Sequence, residues 1–98
     1  MEQAVGYRRR GGEGTLTLRG TVDIFEAQSL RAAALRALGD SKAQTLRLDL
    51  AHAERLDVSA LQVLCALRRD LETQGRTLIC LPVPSAVADA CEATGCTL

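Results

Sequence analysis

Apolar residues recur along this chain with two different periods, and the places where the period changes divide it into seven elements. Residues 15–19, Thr-Leu-Thr-Leu-Arg, alternate with period two and are rich in β-formers, which predicts a strand with one buried face. Residues 3–9 predict a strand before it. Gly11, Gly12 and Gly14 lie between the two and supply turn conformations, so the pair predicts an opening hairpin. Residues 45–50, Thr-Leu-Arg-Leu-Asp-Leu, place three leucines on one side of a strand and Arg47 and Asp49 on the other. Residues 51–55 read as a short connection. Residues 77–81 form a nearly continuous apolar run closed by Pro82 and Pro84, the pattern of a strand covered on both faces.

The other segments have the helical period. Ala27, Leu30, Ala34 and Leu38 share one helix face, with Arg31 and Arg36 outside it. Asp23 is a good N-cap, Glu26 completes a capping-box pattern, and Gly39 is a natural stop. A second helix is predicted over residues 59–74. Ala60, Leu64, Leu67 and Leu71 form its face, Leu61, Val63 and Cys65 widen it, and Gly75 stops it. So wide an apolar arc predicts deep burial. Pro84 and Ser85 open a third helix, with Val87, Cys91 and Thr94 at helical spacing and Gly95 as its cap. The order β-β-α-β-α-β-α predicts an α/β fold: an opening hairpin, then parallel strands joined by right-handed crossovers, forming a mixed sheet with helices packed on it. One domain is expected over residues 1–98.

Composition sharpens this reading. The chain has 98 residues, 47% of them apolar, with one Phe, one Tyr and no Trp, so its core must be built from Leu, Val and Ala. Twelve basic and twelve acidic residues cancel, which argues against a nucleic-acid partner. The run Arg8-Arg9-Arg10 reads as a solvated strand end. No stretch approaches the roughly 20 apolar residues of a membrane span, and the first residues lack the apolar segment of a signal peptide. A cytoplasmic protein without membrane insertion is the expectation. Cys65, Cys80, Cys91 and Cys96 show no Cys-x-x-Cys spacing and read as reduced thiols. Cys91 and Cys96 could pair in principle, but a cytosolic setting disfavours it. With His52 the only histidine, expected in an exposed loop, neither a metal site nor a cofactor is expected. No nucleophile elbow and no phosphate-binding glycine loop is present, so the chain is not expected to be an enzyme. Oligomeric state is not written in the pattern, because the core faces account for every apolar stretch.

The chemistry concentrates at Leu56-Asp57-Val58-Ser59-Ala60-Leu61. A hydroxyl at the mouth of a helix, two residues after an acid, can cap that helix or carry a phosphate there. Three segments in this order are similar to the STAS domain. They are Leu16-Thr17-Leu18-Arg19-Gly20-Thr21-Val22-Asp23, then Leu46-Arg47-Leu48-Asp49-Leu50 with Leu56-Asp57-Val58-Ser59-Ala60-Leu61, then Gln74-Gly75-Arg76-Thr77-Leu78. Bacterial anti-sigma factor antagonists are the best-known stand-alone members of that family. The resemblance implies a small binding protein whose partner is an anti-sigma factor that is also a serine kinase. Ser59 falls at the family's phosphoacceptor position, and Asp23, Asp57, Val58, Ala60 and Gln62 fall along its partner-binding edge. In the family the unmodified antagonist binds the anti-sigma factor, and the phosphorylated form lets go.

Two positions depart from the family's common Asp-Ser/Thr-Ser-Gly. Val58 replaces the first hydroxyl, leaving one acceptor, and Ala60 replaces the glycine, stiffening the turn. Other roles within the family are compatible with these residues. One is a non-switching accessory subunit on the cytoplasmic side of a bacterial lipid-transport ABC complex. Another is a STAS module of a chemotaxis or sensory-kinase pathway.

Overall fold

The computed structural model of the protein describes residues 4–80 and 83–95. The element order is β1 (Val5–Arg10), β2 (Glu13–Val22), α1 (Ile24–Gly39), β3 (Thr45–Leu56), α2 (Val58–Thr73), β4 (Thr77–Cys80) and α3 (Ser85–Thr94). The four strands form one mixed sheet in the order β1-β2-β3-β4. β1 pairs antiparallel with β2, and β2–β3 and β3–β4 are parallel. This is the α/β architecture that the pattern predicts. The hairpin turn is tight, and Gly11 occupies its left-handed position at φ 61°.

The register sorts side chains between the two faces of the sheet. The row Tyr7–Leu16–Leu48–Cys80 and the fully buried Leu18, Leu46 and Leu50 point into the core. The row Arg8–Thr15–Arg47–Ile79 points the other way, onto an open face. α1 packs on α2 and against β1 and β2, α2 also meets β4, and α3 lies against β3. Leu30, Ala34, Ala60, Leu64, Leu67, Leu71 and Val87 close the core, as their spacing predicts.

Several expectations give way. β3 does not end at residue 50: residues 51–55 continue it, so His52 is an exposed strand residue opposite Arg19 rather than part of a loop. The pairing with β2 shifts register between Thr17 and Arg19 and again between Gly20 and Thr21. Buried positions therefore move from every second residue to Ala53 and Leu56, and the alternation that marks a strand is lost. β4 is an edge strand, not one covered on both faces, with Ile79 40% exposed. Its apolar run reflects one core row plus an edge, and residue 81 lies outside the described residues. The first strand begins at Val5, residue 3 being likewise outside them. Gly39 is the last residue of α1, whose C-cap is Asp40. Cys65 is disulfide-bonded rather than a free thiol. Neither Cys80 nor Cys91 is disulfide-bonded, which excludes the pairing of Cys91 with Cys96. Burial pushes both of these thiols up, and for Cys80 the nearby Cys91 adds to the effect, so neither is poised as a thiolate.

Arg76 is the one buried charged residue among those described. Its guanidinium donates to the carbonyls of Leu38, Ala37 and Asp40 at 2.9, 2.9 and 3.1 Å. It also reaches the Ala43 carbonyl at 2.6 and 2.9 Å, and the Gln74 side chain at 2.9 Å. The last turn of a helix leaves carbonyls without partners. Here a cation just ahead of β4 reaches two of them, on Ala37 and Leu38, which suits the negative end of the helix dipole.

Candidate functional site

The two helices that bear the sequence-predicted residues start side by side. Val22 at the end of β2 and Leu56 at the end of β3 are register partners, and the Asp57 N–H donates to the Val22 carbonyl at 2.9 Å. The next residues, Asp23 and Asp57, are the N-caps of α1 and α2. The parallel pair thus brings two acids, distant in sequence, to one rim. Helix-capping chemistry fixes both. Asp23 Oδ1 accepts from the N–H groups of Phe25 and Glu26 at 3.0 and 3.2 Å. Asp57 Oδ1 accepts from the Val58 N–H at 2.8 Å.

Asp57, not Ser59, is therefore the cap of α2, and the helix starts one residue earlier than its apolar pattern implies. Ser59 lies within the first turn and is partly exposed. Among the described residues its hydroxyl reaches only Asp57 Oδ2, at a long 3.5 Å. The hydroxyl is not occupied in holding the helix. Ser59 lines the upper end of a groove between α1 and α2, and Gln62 is exposed in the same groove.

The remaining predicted contacts divide. Val58 stands 49% exposed beside Asp57 and faces a second groove with Ala86, Ala90 and Ala93 of α3. Ala60 does not belong to the edge: it is 0% exposed, its methyl group packed in the core beneath α2. A glycine there would open a void, so Ala60 is a packing residue and not a partner contact. Arg8, Arg9 and Arg10 also divide. Arg9 crosses to the helix side and pairs with Asp40 at 2.9 Å, while Arg8 and Arg10 lie with Arg19 on the open face.

The rim also holds two residues that the pattern did not single out. Ile24 and Phe25, in the first turn of α1, are 66% and 85% exposed. Phe25 is the only phenylalanine in the chain, and it sits off the helix face that carries Leu30 and Ala34. That mismatch was the signal available in the sequence. These residues and Val58 stand exposed next to the two capping carboxylates, the composition of a protein-docking edge. Among the described residues no three His, Cys, Asp or Glu side chains cluster as a metal site, and no helix is long and apolar enough to cross a membrane.

No curated protein matches the chain by sequence. Solved structures do match its fold. It is similar to the phosphorylated form of the Bacillus cell fate determinant SpoIIAA, with a TM-score of 0.78 and 17% identity over 94% of this chain and 84% of that one. An anti-sigma factor antagonist from Mycobacterium paratuberculosis gives 0.77 at 22% identity, over 93% of this chain and 76% of that one. The unphosphorylated form of the anti-sigma factor antagonist SpoIIAA gives 0.71 at 19% identity, over 84% and 76%. At sequence level, residues 5–97 match the family described as Mlab, STAS domain. With nearly the whole chain inside that match, and the hairpin, the parallel strands and the acid-flanked start of α2 in place, this protein belongs to the STAS domain family.

Proposed function

We propose that the chain is a cytoplasmic regulatory binding protein of the anti-sigma factor antagonist type, not an enzyme. It grips an anti-sigma factor with serine kinase activity through the rim of Asp23, Asp57, Val58 and Gln62, and it releases that partner once Ser59 is phosphorylated. One observation carries this reading: Asp57 caps α2, which leaves the Ser59 hydroxyl at the rim with a single 3.5 Å contact. The exposed Ile24, Phe25 and Val58 supply the apolar part of the grip.

In the modification, Ser59 Oγ attacks the γ-phosphorus of ATP. The Oγ–P bond forms as the bond to the leaving ADP oxygen breaks, and the hydroxyl proton passes to a base on the kinase. The product brings about −1.5 to −2 charges. The start of α2 favours an anion by ~0.3–1 kcal/mol, so the fold tolerates the group. The partner meets a rim that already carries Asp23 and Asp57 and is now strongly anionic. A coupling of ~1–3 kcal/mol changes its affinity ~5- to 150-fold.

Incubation with the kinase and ATP, read by intact mass and peptide mapping, should place one phosphate on Ser59. Calorimetry should find Ser59→Asp binding the anti-sigma factor more weakly than the unmodified protein. A protein that stays unmodified, or a Ser59→Asp variant with full affinity, sinks the switch.

A second reading is favoured by Val58. This exposed apolar side chain, standing where the family commonly has a hydroxyl, lies with Ile24 and Phe25 on a rim suited to permanent docking. The match to the family described as Mlab leans the same way. The chain would then be a non-switching accessory subunit of a bacterial lipid-transport ABC complex. Capture of an ATPase subunit, with function intact in Ser59→Ala, selects this reading over the first.

A further inference from the structure

The groove that begins at Ser59 is built from two helices that run in the same direction. Each follows one strand of the parallel β2–β3 pair, and their N-caps stand at the same rim. α1 contributes Arg31, Ala34, Leu35 and Leu38, and α2 contributes a row from Ser59 through Gln62 and Val63 to Asp70. Ser59 opens the α2 row in the first turn of its helix, and Arg31 opens the α1 row about two turns in, from where a long helical side chain leans back toward the N-terminal rim. The groove's one carboxylate, Asp70, is the last member of the α2 row and stands at the far end. Arg31 is exposed and makes no hydrogen bond or ion pair with any described residue. A cation without an acid partner among the described residues thus shares a groove with a hydroxyl that caps nothing.

We infer that Arg31 is the internal receptor for a phosphate on Ser59, pairing with it across the α1–α2 groove. This rests on the reading of Ser59 as the phosphoacceptor and adds what the modified form does. An unpaired phosphate would only add charge to the rim. A phosphate held by Arg31 draws that side chain over the head of the groove and lays a charged pair where a partner's apolar residues would enter. A guanidinium suits this because it can offer two parallel N–H donors to phosphate oxygens. The opposing charges are Asp57, in contact with Ser59, and Asp23 on the neighbouring cap. Both repel the phosphate, and neither neutralises Arg31, which lies farther along α1.

The test does not depend on any kinase. Phosphoserine is placed at position 59 by genetic encoding, and its second ionisation, ordinarily near pH ~6, is followed by phosphorus NMR. Arg31→Gln should raise that midpoint by roughly 0.5–1 pH unit relative to the parent phosphoprotein. Arg31→Lys should recover part of the difference. Arg36→Gln, which removes a guanidinium held 5.9 Å from the Tyr7 ring instead, should leave the midpoint unmoved. Arg31 is exposed, so its variants should fold normally, and a thermal melt checks this. An identical midpoint in parent and Arg31→Gln, or an equal rise in Arg36→Gln, overturns the pairing. The pairing and the phosphoacceptor reading fail separately. The NMR midpoint decides the first, and kinase treatment of the unmodified protein decides the second.

Discussion

At the scale of single residues, the division of labour between Asp57 and Ser59 is a stability statement as well as a functional one. Asp57 Oδ1 satisfies an N–H at the start of α2, and losing such a cap costs about 0.5–2 kcal/mol. Asp57→Ala should lower the urea-unfolding free energy by that amount, whereas Ser59→Ala should change it by less than ~0.5 kcal/mol. A larger loss in Ser59→Ala would mean that the serine holds the helix after all. Arg76 gives the steeper prediction. Arg76→Ala removes donors from the carbonyls of Ala37, Leu38, Asp40 and Ala43; those of Ala37 and Asp40 keep a backbone N–H each, and those of Leu38 and Ala43 are left without a donor among the described residues. The expected loss in the same assay is ~2–4 kcal/mol. Arg76→Lys should recover only part of it, because an ammonium cannot span four carbonyls in a planar fork. The sequence showed Asp23 as a cap, because capping is local. It did not show Arg76, whose carbonyl partners lie more than thirty residues away and have no side-chain signature. Asp57 was visible as an acid in a turn, but its capping role was obscured because Val58, the true first helical residue, lies outside the apolar face.

Elements became legible wherever burial kept one period. α1 and α2 keep Leu30, Ala34, Leu64, Leu67 and Leu71 on helical spacing, and the first half of β3 keeps Leu46, Leu48 and Leu50 on alternation. The second half of β3 breaks step at the register shifts, and β4 shows an apolar run without two-sided burial, because pattern reports composition and not what lies alongside. The join of β1 to the end of α1 was equally hidden. Tyr7 donates its hydroxyl to Asp40 Oδ2 at 3.0 Å, and Arg9 pairs with the same oxygen at 2.9 Å. Desolvation pushes the Asp40 carboxyl up, but the Tyr7 hydroxyl, the Lys42 N–H and Arg9 together hold it below its ordinary 3.8. Its contribution is therefore complete above that pH and is lost as pH falls through the lower folded value. Tyr7 is shifted upward by burial first, then by the Asp40 hydrogen bond and charge, so its contribution holds below its ordinary 10.0 and is lost as pH rises past it. Urea midpoints measured across pH should fall on both flanks. Asp40→Asn should flatten the acid flank, and Tyr7→Phe the alkaline one. Gly14 completes the join: a Cβ there would meet the Tyr7 hydroxyl at 2.6 Å and its Cε1 at 2.9 Å. Gly14→Ala should push the ring off Asp40 and cost ~1–3 kcal/mol.

For the molecule as a whole, the parallel pairing of β2 and β3 does more than build a core. It delivers the N-termini of α1 and α2 to one rim and so gathers Asp23, Ile24, Phe25, Asp57, Val58 and Ser59 from two distant stretches of chain. The sequence named the two acids and Ser59 through family likeness. It did not reveal the exposed apolar residues beside them, because an exposed Phe inside an amphipathic helix reads as one more hydrophobe until the buried face is known. If this rim is where a partner docks, stability and binding should separate there. Phe25 is 85% exposed, so Phe25→Ser should leave the unfolding free energy within ~0.5 kcal/mol of wild type. As an aromatic anchor at a docking edge it should nonetheless weaken partner affinity ~10-fold or more. Ile79→Ser, an equally mild change on the β4 edge and the open sheet face, should leave affinity unchanged. Equal losses in the two variants would mean that exposed apolar surface in general holds the partner, and the convergence of the two helix starts would be an accident of topology. A loss confined to Phe25→Ser would tie recognition to the one place where the sheet brings both caps together.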